Sequence, residues 1–164
     1  VILVDADLRN PSTAKVLGMQ EQELGTLQVL KGEVKIEDAV QPYKDTSVMV
    51  LAGSSPIQDT STVLSGENMR QFIKELEAKA DFVVIDTPPS AMLSDAAIVA
   101  QYVDGAVFVI RQDYTEADRI LEGMEILSSS GAQITGCILN DANVKGNSSE
   151  HYKNSYRLKG EVKV

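Results

Sequence analysis

The chain has 164 residues, 43% of them hydrophobic and 24% charged, the ordinary balance of one globular domain with enough length to bury a core. Twenty-four Asp and Glu against 15 Lys and Arg leave a net charge of −9, which argues against a binder of DNA or anionic lipid. No apolar run approaches the roughly 18 residues that span a bilayer. The single cysteine, Cys137, excludes an internal disulfide; it lies in an apolar run and is expected as a buried core thiol. One thiol without a disulfide framework fits the cytoplasm. The chain opens without an initiator Met on a bare apolar run, residues 1–4, and so reads as part of a longer protein.

Residues 1–4 are the first of five β-rich runs. Asn10 before Pro11 reads as a cap and first-turn proline, opening a helix directly after that strand. Residues 48–51 form the second run. Met69, Phe72, Ile73 and Leu76 then recur at helical spacing. Residues 82–85 and 106–110 are the third and fourth strands. Thr115 is the expected N-cap of a second long helix, with Glu116 and Asp118 in its first turn and Ala117, Ile120, Leu121, Met124 and Leu127 on its apolar face. Residues 134–139 are the fifth strand. Four of the five runs are near-continuously apolar, the signature of strands buried on both faces. Strands alternating with helices predict an α/β fold, a mostly parallel β-sheet with helices on both faces. After Asn140 the apolar pattern stops, and Gly146, Asn147, Ser148 and Ser149 follow in a row. Residues 1–143 are therefore expected as the α/β domain and residues 144–164 as a flexible tail.

Chemistry concentrates at two strand ends. The first run ends in Asp5 and Asp7, followed by Arg9. The third ends in Asp86, after which Thr87, Pro88 and Pro89 turn the chain out of the sheet. Ligands of open α/β sheets bind outside the carboxyl ends of the strands. Each motif alone also reads as a polar strand end. Together they deliver three carboxylates to one edge, where like charges repel unless a cation sits among them. Mg²⁺ with a nucleotide phosphate is the natural occupant.

Here the chain resembles a known family. Val-Asp-Ala-Asp-Leu-Arg-Asn-Pro-Ser, residues 4–12, is similar to the Walker A′ motif of bacterial tyrosine kinases, and Val-Ile-Asp-Thr-Pro-Pro, residues 84–89, to their Walker B motif. The resemblance continues through residues 25–33, 50–53, 94–97 and 136–140, and covers residues 1–143. It implies a P-loop NTPase fold of the MinD/ParA type. It also implies an ATP- and Mg²⁺-dependent kinase that phosphorylates its own tyrosines and those of protein substrates, controlling capsule or exopolysaccharide synthesis and export. By the same resemblance Asp5 is the base on the tyrosine hydroxyl, Asp7 and Asp86 serve Mg²⁺, and Asn140 contacts adenine. Tyr152 and Tyr156 are what remains of a C-terminal phosphoacceptor cluster. Arg9 pairs either with a carboxylate or with a neighbouring subunit. The implied partner is a membrane activator of the chain-length-regulator type that recruits a cytoplasmic homo-oligomer to the inner face of the cell membrane; no nucleic acid is implied.

Three departures stand out. No G-x-x-x-x-G-K-[ST] loop occurs in the 164 residues, so the phosphate-binding strand and loop are expected upstream of Val1, and the chain alone is expected to be inactive. Residues 53–59 lack the family's proline-rich spelling. The tail tyrosines are few, and His151 beside them reads as merely exposed. Two rival readings remain at this point: a partition- or septum-positioning ATPase of the same fold, and a degenerate scaffold without nucleotide.

Overall fold

The structure is a computed structural model and describes residues 1–142 apart from Glu21. Tyr152, Tyr156, His151 and the expected tail lie outside the described residues. A four-stranded sheet has the order β2-β3-β1-β4, with β1 Ile2–Asp5, β2 Gln41–Pro42, β3 Met49–Leu51 and β4 Val83–Asp86. β1 pairs in parallel with both β3 and β4. β2 was not apparent from sequence; it is two residues long and antiparallel to β3. Its Pro42 is tolerated because an edge strand has no ladder partner on its outer side. β5 Ala106–Arg111 and β6 Ile134–Asn140 form a second, parallel sheet.

The alternation of β1 puts its side chains into two cores. Ile2 and Val4, both under 5% exposed, join Leu51 against α2 Thr26–Leu30, α3 Ile36–Ala39 and α4 Gly66–Glu77. On the opposite face Leu3 and Val50 pack with Ala14 and Leu17 of α1 Thr13–Leu17. Helices thus cover both faces of the first sheet, as expected. α4 buries Met69, Phe72, Ile73 and Leu76, the four positions marked by helical spacing. α5 Asp95–Val99 runs into a 3-10 turn, Ala100–Tyr102. Its Ala96 and the turn's Ala100 meet Leu127 of α6 Ala117–Ser129, together with Phe108 and Ile134 of the second sheet.

Four local expectations are corrected. The N-cap of α6 is Glu116 rather than Thr115, and it makes no side-chain cap bond. α1 opens at Thr13 with Ser12 as its cap residue, not at Asn10, because a carboxylate from β1 satisfies its first N–H groups. The expectation of strands buried on both faces holds for β1 but not for β4, β5 and β6. Val84, Val107 and Val109 are 52%, 54% and 59% exposed. β4 is an edge of its sheet, and the outer face of the β5–β6 pair has no covering layer among the described residues. Cys137 is accordingly exposed rather than buried.

The core assignment yields a stability test. Leu76 is fully buried, so Leu76→Ala should cost about 2–5 kcal/mol by lost transfer energy and a residual cavity. Lys74→Ala, on the exposed side of α4, should stay within roughly 0.5 kcal/mol. Urea denaturation followed by circular dichroism measures both.

Candidate functional site

Parallel pairing of β1 with β4 sets Asp5 directly across from Asp86. Asp7 follows on the connection from β1 to α1. The two strand-end motifs therefore meet at one sheet edge.

The three carboxylates have different surroundings. Asp5 is 1% exposed. Its Oδ1 accepts the Asp7 N–H at 3.1 Å, and its Oδ2 accepts the Ser12 and Thr13 N–H groups at 3.0 and 2.9 Å. It thus organises the loop it begins and the start of α1. Gly53, just past β3, closes over it: a Cβ there would lie 3.2 Å from Asp5 Oδ2 and 2.1 Å from the Pro11 Cβ. Only glycine fits that approach. Asp7 Oδ1 accepts the N–H groups of Arg9 at 3.2 Å and Asn10 at 2.9 Å, an Asx turn. Asp7 Oδ2 has no hydrogen bond among the described residues.

Asp86 is exposed as a residue, yet its pKa is raised above the ordinary 3.8. Partial desolvation at the sheet edge is the main cause, and the charges of Asp5 and Asp7 add to it, against a backbone N–H from Thr87. This is an edge with negative charge in excess. Among the described residues no group of three or more His, Cys, Asp or Glu is gathered as a metal cage. Mg²⁺ does not require such a cage, since it keeps several waters and takes one or two carboxylates plus phosphate oxygens.

Arg9 pairs within the chain. Its Nε is 2.9 Å from Asp95 Oδ2, a carboxylate pairing of the kind that was one of the two possibilities read from the sequence. The partner was not legible, because Asp95 is 86 positions away and its burial shows only in the fold. The resembling stretches at residues 25–33 and 50–53 are brought together as well. Thr26 Oγ1 donates to the Leu51 and Ala52 carbonyls, and Gln28 Oε1 accepts from Gly25 N–H and Ser54 Oγ.

Asn140 ends β6, alongside Arg111 at the end of β5. Its Oδ1 accepts the Asp141 N–H at 2.9 Å, and Asp141 pairs with Arg111 at 3.0 Å. It belongs to the second sheet, apart from the three carboxylates in the strand order. A groove of about 590 Å³ lies elsewhere, between residues 29–38 and α4.

A family model described as "ParA: NUBPL iron-transfer P-loop NTPase" matches residues 1–164. The solved kinase domain of VpsO is 30% identical, with a TM-score of 0.79, over 87% of this chain and 70% of that one. The chain belongs to the ParA-type P-loop NTPases and, among them, to the bacterial tyrosine kinases. Tyrosine-protein kinase YwqD of Bacillus subtilis is 31% identical over 93% of this chain. The kinase domain of the Escherichia coli tyrosine kinase Etk superposes with a TM-score of 0.81 at 27% identity, covering 88% of this chain and 56% of that one. The chain spans 64% of the length of YwqD. The family's fold is a nucleotide-binding one. Among the described residues no helix is long and apolar enough to cross a membrane.

Crowded charge at the edge predicts a pH effect. A raised carboxylate pKa means that the fold binds the Asp86 proton more tightly than the unfolded chain does. The metal-free protein should therefore lose stability as pH rises from about 3.8 through the raised value. Asp86→Asn should flatten that slope and raise the melting temperature at neutral pH in EDTA. Thermal denaturation across pH 4 to 8 checks it.

Proposed function

We propose that this chain is the greater part of the catalytic domain of a bacterial protein-tyrosine autokinase that acts in capsular or exopolysaccharide synthesis and export. The observation that carries this reading is the meeting of Asp5, Asp7 and Asp86 at one sheet edge in a member of this family. ATP is the phosphoryl donor. A tyrosine oxygen bonds to the γ-phosphorus as the bond from that phosphorus to the leaving diphosphate oxygen breaks, and the tyrosine proton passes to Asp5. Bound Mg²⁺ would neutralise charge developing between the phosphates. Asp7 and Asp86 would hold that ion. Asn140 borders the adenine. Tyr152 and Tyr156 are acceptors, with tyrosines of other proteins as further substrates. A membrane activator of the chain-length-regulator type recruits the kinase, as a cytoplasmic homo-oligomer, to the inner face of the cell membrane.

Asp5 has two tasks under this reading, since the carboxylate that takes the proton also holds the start of α1. In the full-length kinase Asp5→Asn should lower phosphotransfer about 10²–10⁴-fold, with nucleotide binding falling less. Mass spectrometry of the wild type after incubation with Mg-ATP and its activator should find phosphate on Tyr152 or Tyr156. Wild-type transfer by Asp5→Asn would remove the base assignment. Phosphate confined to Tyr43, Tyr102 or Tyr114 would remove the tail from the mechanism.

The phosphate loop belongs on a further strand, helix and loop preceding Val1. The unpaired outer edge of β4, the separate β5–β6 pair and the exposed Val84, Val107 and Val109 support this placement. A parallel strand between β4 and β5 would join the two sheets, and a crossover helix packed on that face would cover those valines. Residues 1–164 alone should bind Mg-ATP weakly in isothermal titration, and a protein carrying the upstream segment should bind it tightly. Equal, tight binding by both would defeat the placement.

A further inference from the structure

Three connections leave the carboxyl edge of the first sheet: residues 6–12, 52–65 and 87–94. None contains a helix or strand, yet the first carries Asp7 and the third follows Asp86. One side chain ties all three regions. Arg9 Nε and Nη2 donate to Asp95 Oδ2 and Oδ1 at 2.9 and 3.3 Å, a two-point fork at the start of α5. Nη2 also donates to Thr60 Oγ1 at 2.7 Å, and Nη1 to the Gln58 carbonyl at 2.7 Å. Thr60 Oγ1 in turn donates to Asp95 Oδ2 at 3.0 Å.

Asp95 and Thr60 are fully buried, and no buried side-chain N or O atom among the described residues lacks a partner. A buried carboxylate of this kind persists only with its charge paired and its lone pairs used. The Arg9 backbone has a second role, since its N–H and that of Asn10 hold Asp7 Oδ1. Ile57 N–H to the Leu8 carbonyl, at 2.8 Å, stitches the first two connections again one residue away.

We infer that Arg9 is a positioning residue for the metal-binding edge. Clamped to Asp95, Thr60 and Gln58, it fixes the backbone that aims the Asp7 carboxylate and locks that backbone to the segment following Asp86. Asp7 and Asp86 then stand on one rigid frame. Lysine cannot replace it, because an ammonium lacks the planar fork that reaches Asp95 twice and the other two partners at once.

The inference rests on the proposed function for the role of Asp7, so its test uses two readouts besides phosphotransfer. In the full-length protein, Arg9→Lys and Asp95→Asn should speed amide hydrogen exchange across residues 6–12 and 87–94 in the metal-free state. They should also raise the Mg²⁺ concentration for half-maximal binding of a fluorescent ADP about 10–100-fold. Phosphotransfer at saturating Mg²⁺ should fall less than this shift. Thr60→Val removes only the hydroxyl from the network and should give the same pattern in smaller measure. It decides the matter if either charged variant fails to fold. Folded variants with wild-type exchange in residues 6–12, or with unchanged Mg²⁺ dependence, would overturn the inference. A wild-type protein that binds Mg-ADP but transfers no phosphate would sink the kinase reading alone, because exchange and the Mg²⁺ titration still decide the role of Arg9.

Discussion

The architecture of the site depends on one buried carboxylate. Asp5 is enclosed, and three main-chain N–H groups converge on it. In a low-dielectric setting those bonds are strong, and the alternative of a lone buried charge is prohibitive. The same group therefore ends β1, shapes the turn to Asp7 and starts α1. The chain passing above it, at Gly53, carries no side chain chiefly because a Cβ there would lie 2.1 Å from the Pro11 Cβ. A strand end, a loop and a helix start are all consequences of where one carboxylate sits.

Around this anchor, negative charge is distributed in a graded way. Asp5 is saturated by backbone donors, Asp7 is half-used, and Asp86 stands partly in solvent with its pKa pushed upward by desolvation and by the other two. Arg9 is close in sequence but spends its charge on Asp95, so it does not neutralise the edge. On the proposed function, that excess would be met by a cation arriving with a phosphate. Asp5 is the least accessible of the three carboxylates and Asp86 the most.

Much of this was legible in the sequence. All five apolar runs are strands, and the periodic positions of α4 are its buried ones. Strand ends bearing Asp5 and Asp86 indicated the site because parallel strands discharge their loops at one edge. What was hidden depended on contacts distant along the chain. The capping of α1 came from Asp5 rather than from the local Asn10 and Pro11, and the pairing of Arg9 with Asp95 crosses 86 positions. Cys137 and its neighbours were misjudged for a different reason. An apolar run reports what a strand would bury with all its neighbours in place, and β6 has one paired edge and an uncovered outer face among the described residues.

Those uncovered strands have a consequence for solubility. An edge that offers unpaired N–H and C=O groups beside exposed valines is a template for any other extended chain, including another copy of itself. β4 and β5 carry no lysine or proline within their spans to discourage such pairing, and Val84, Val107 and Val109 supply apolar, β-branched contacts. Among the described residues these edges are the places where edge-to-edge association would begin, with the net charge of −9 opposing it. On the proposal that a further strand closes this seam, the sheet is safest when that strand is present during folding, before a second molecule finds the edge.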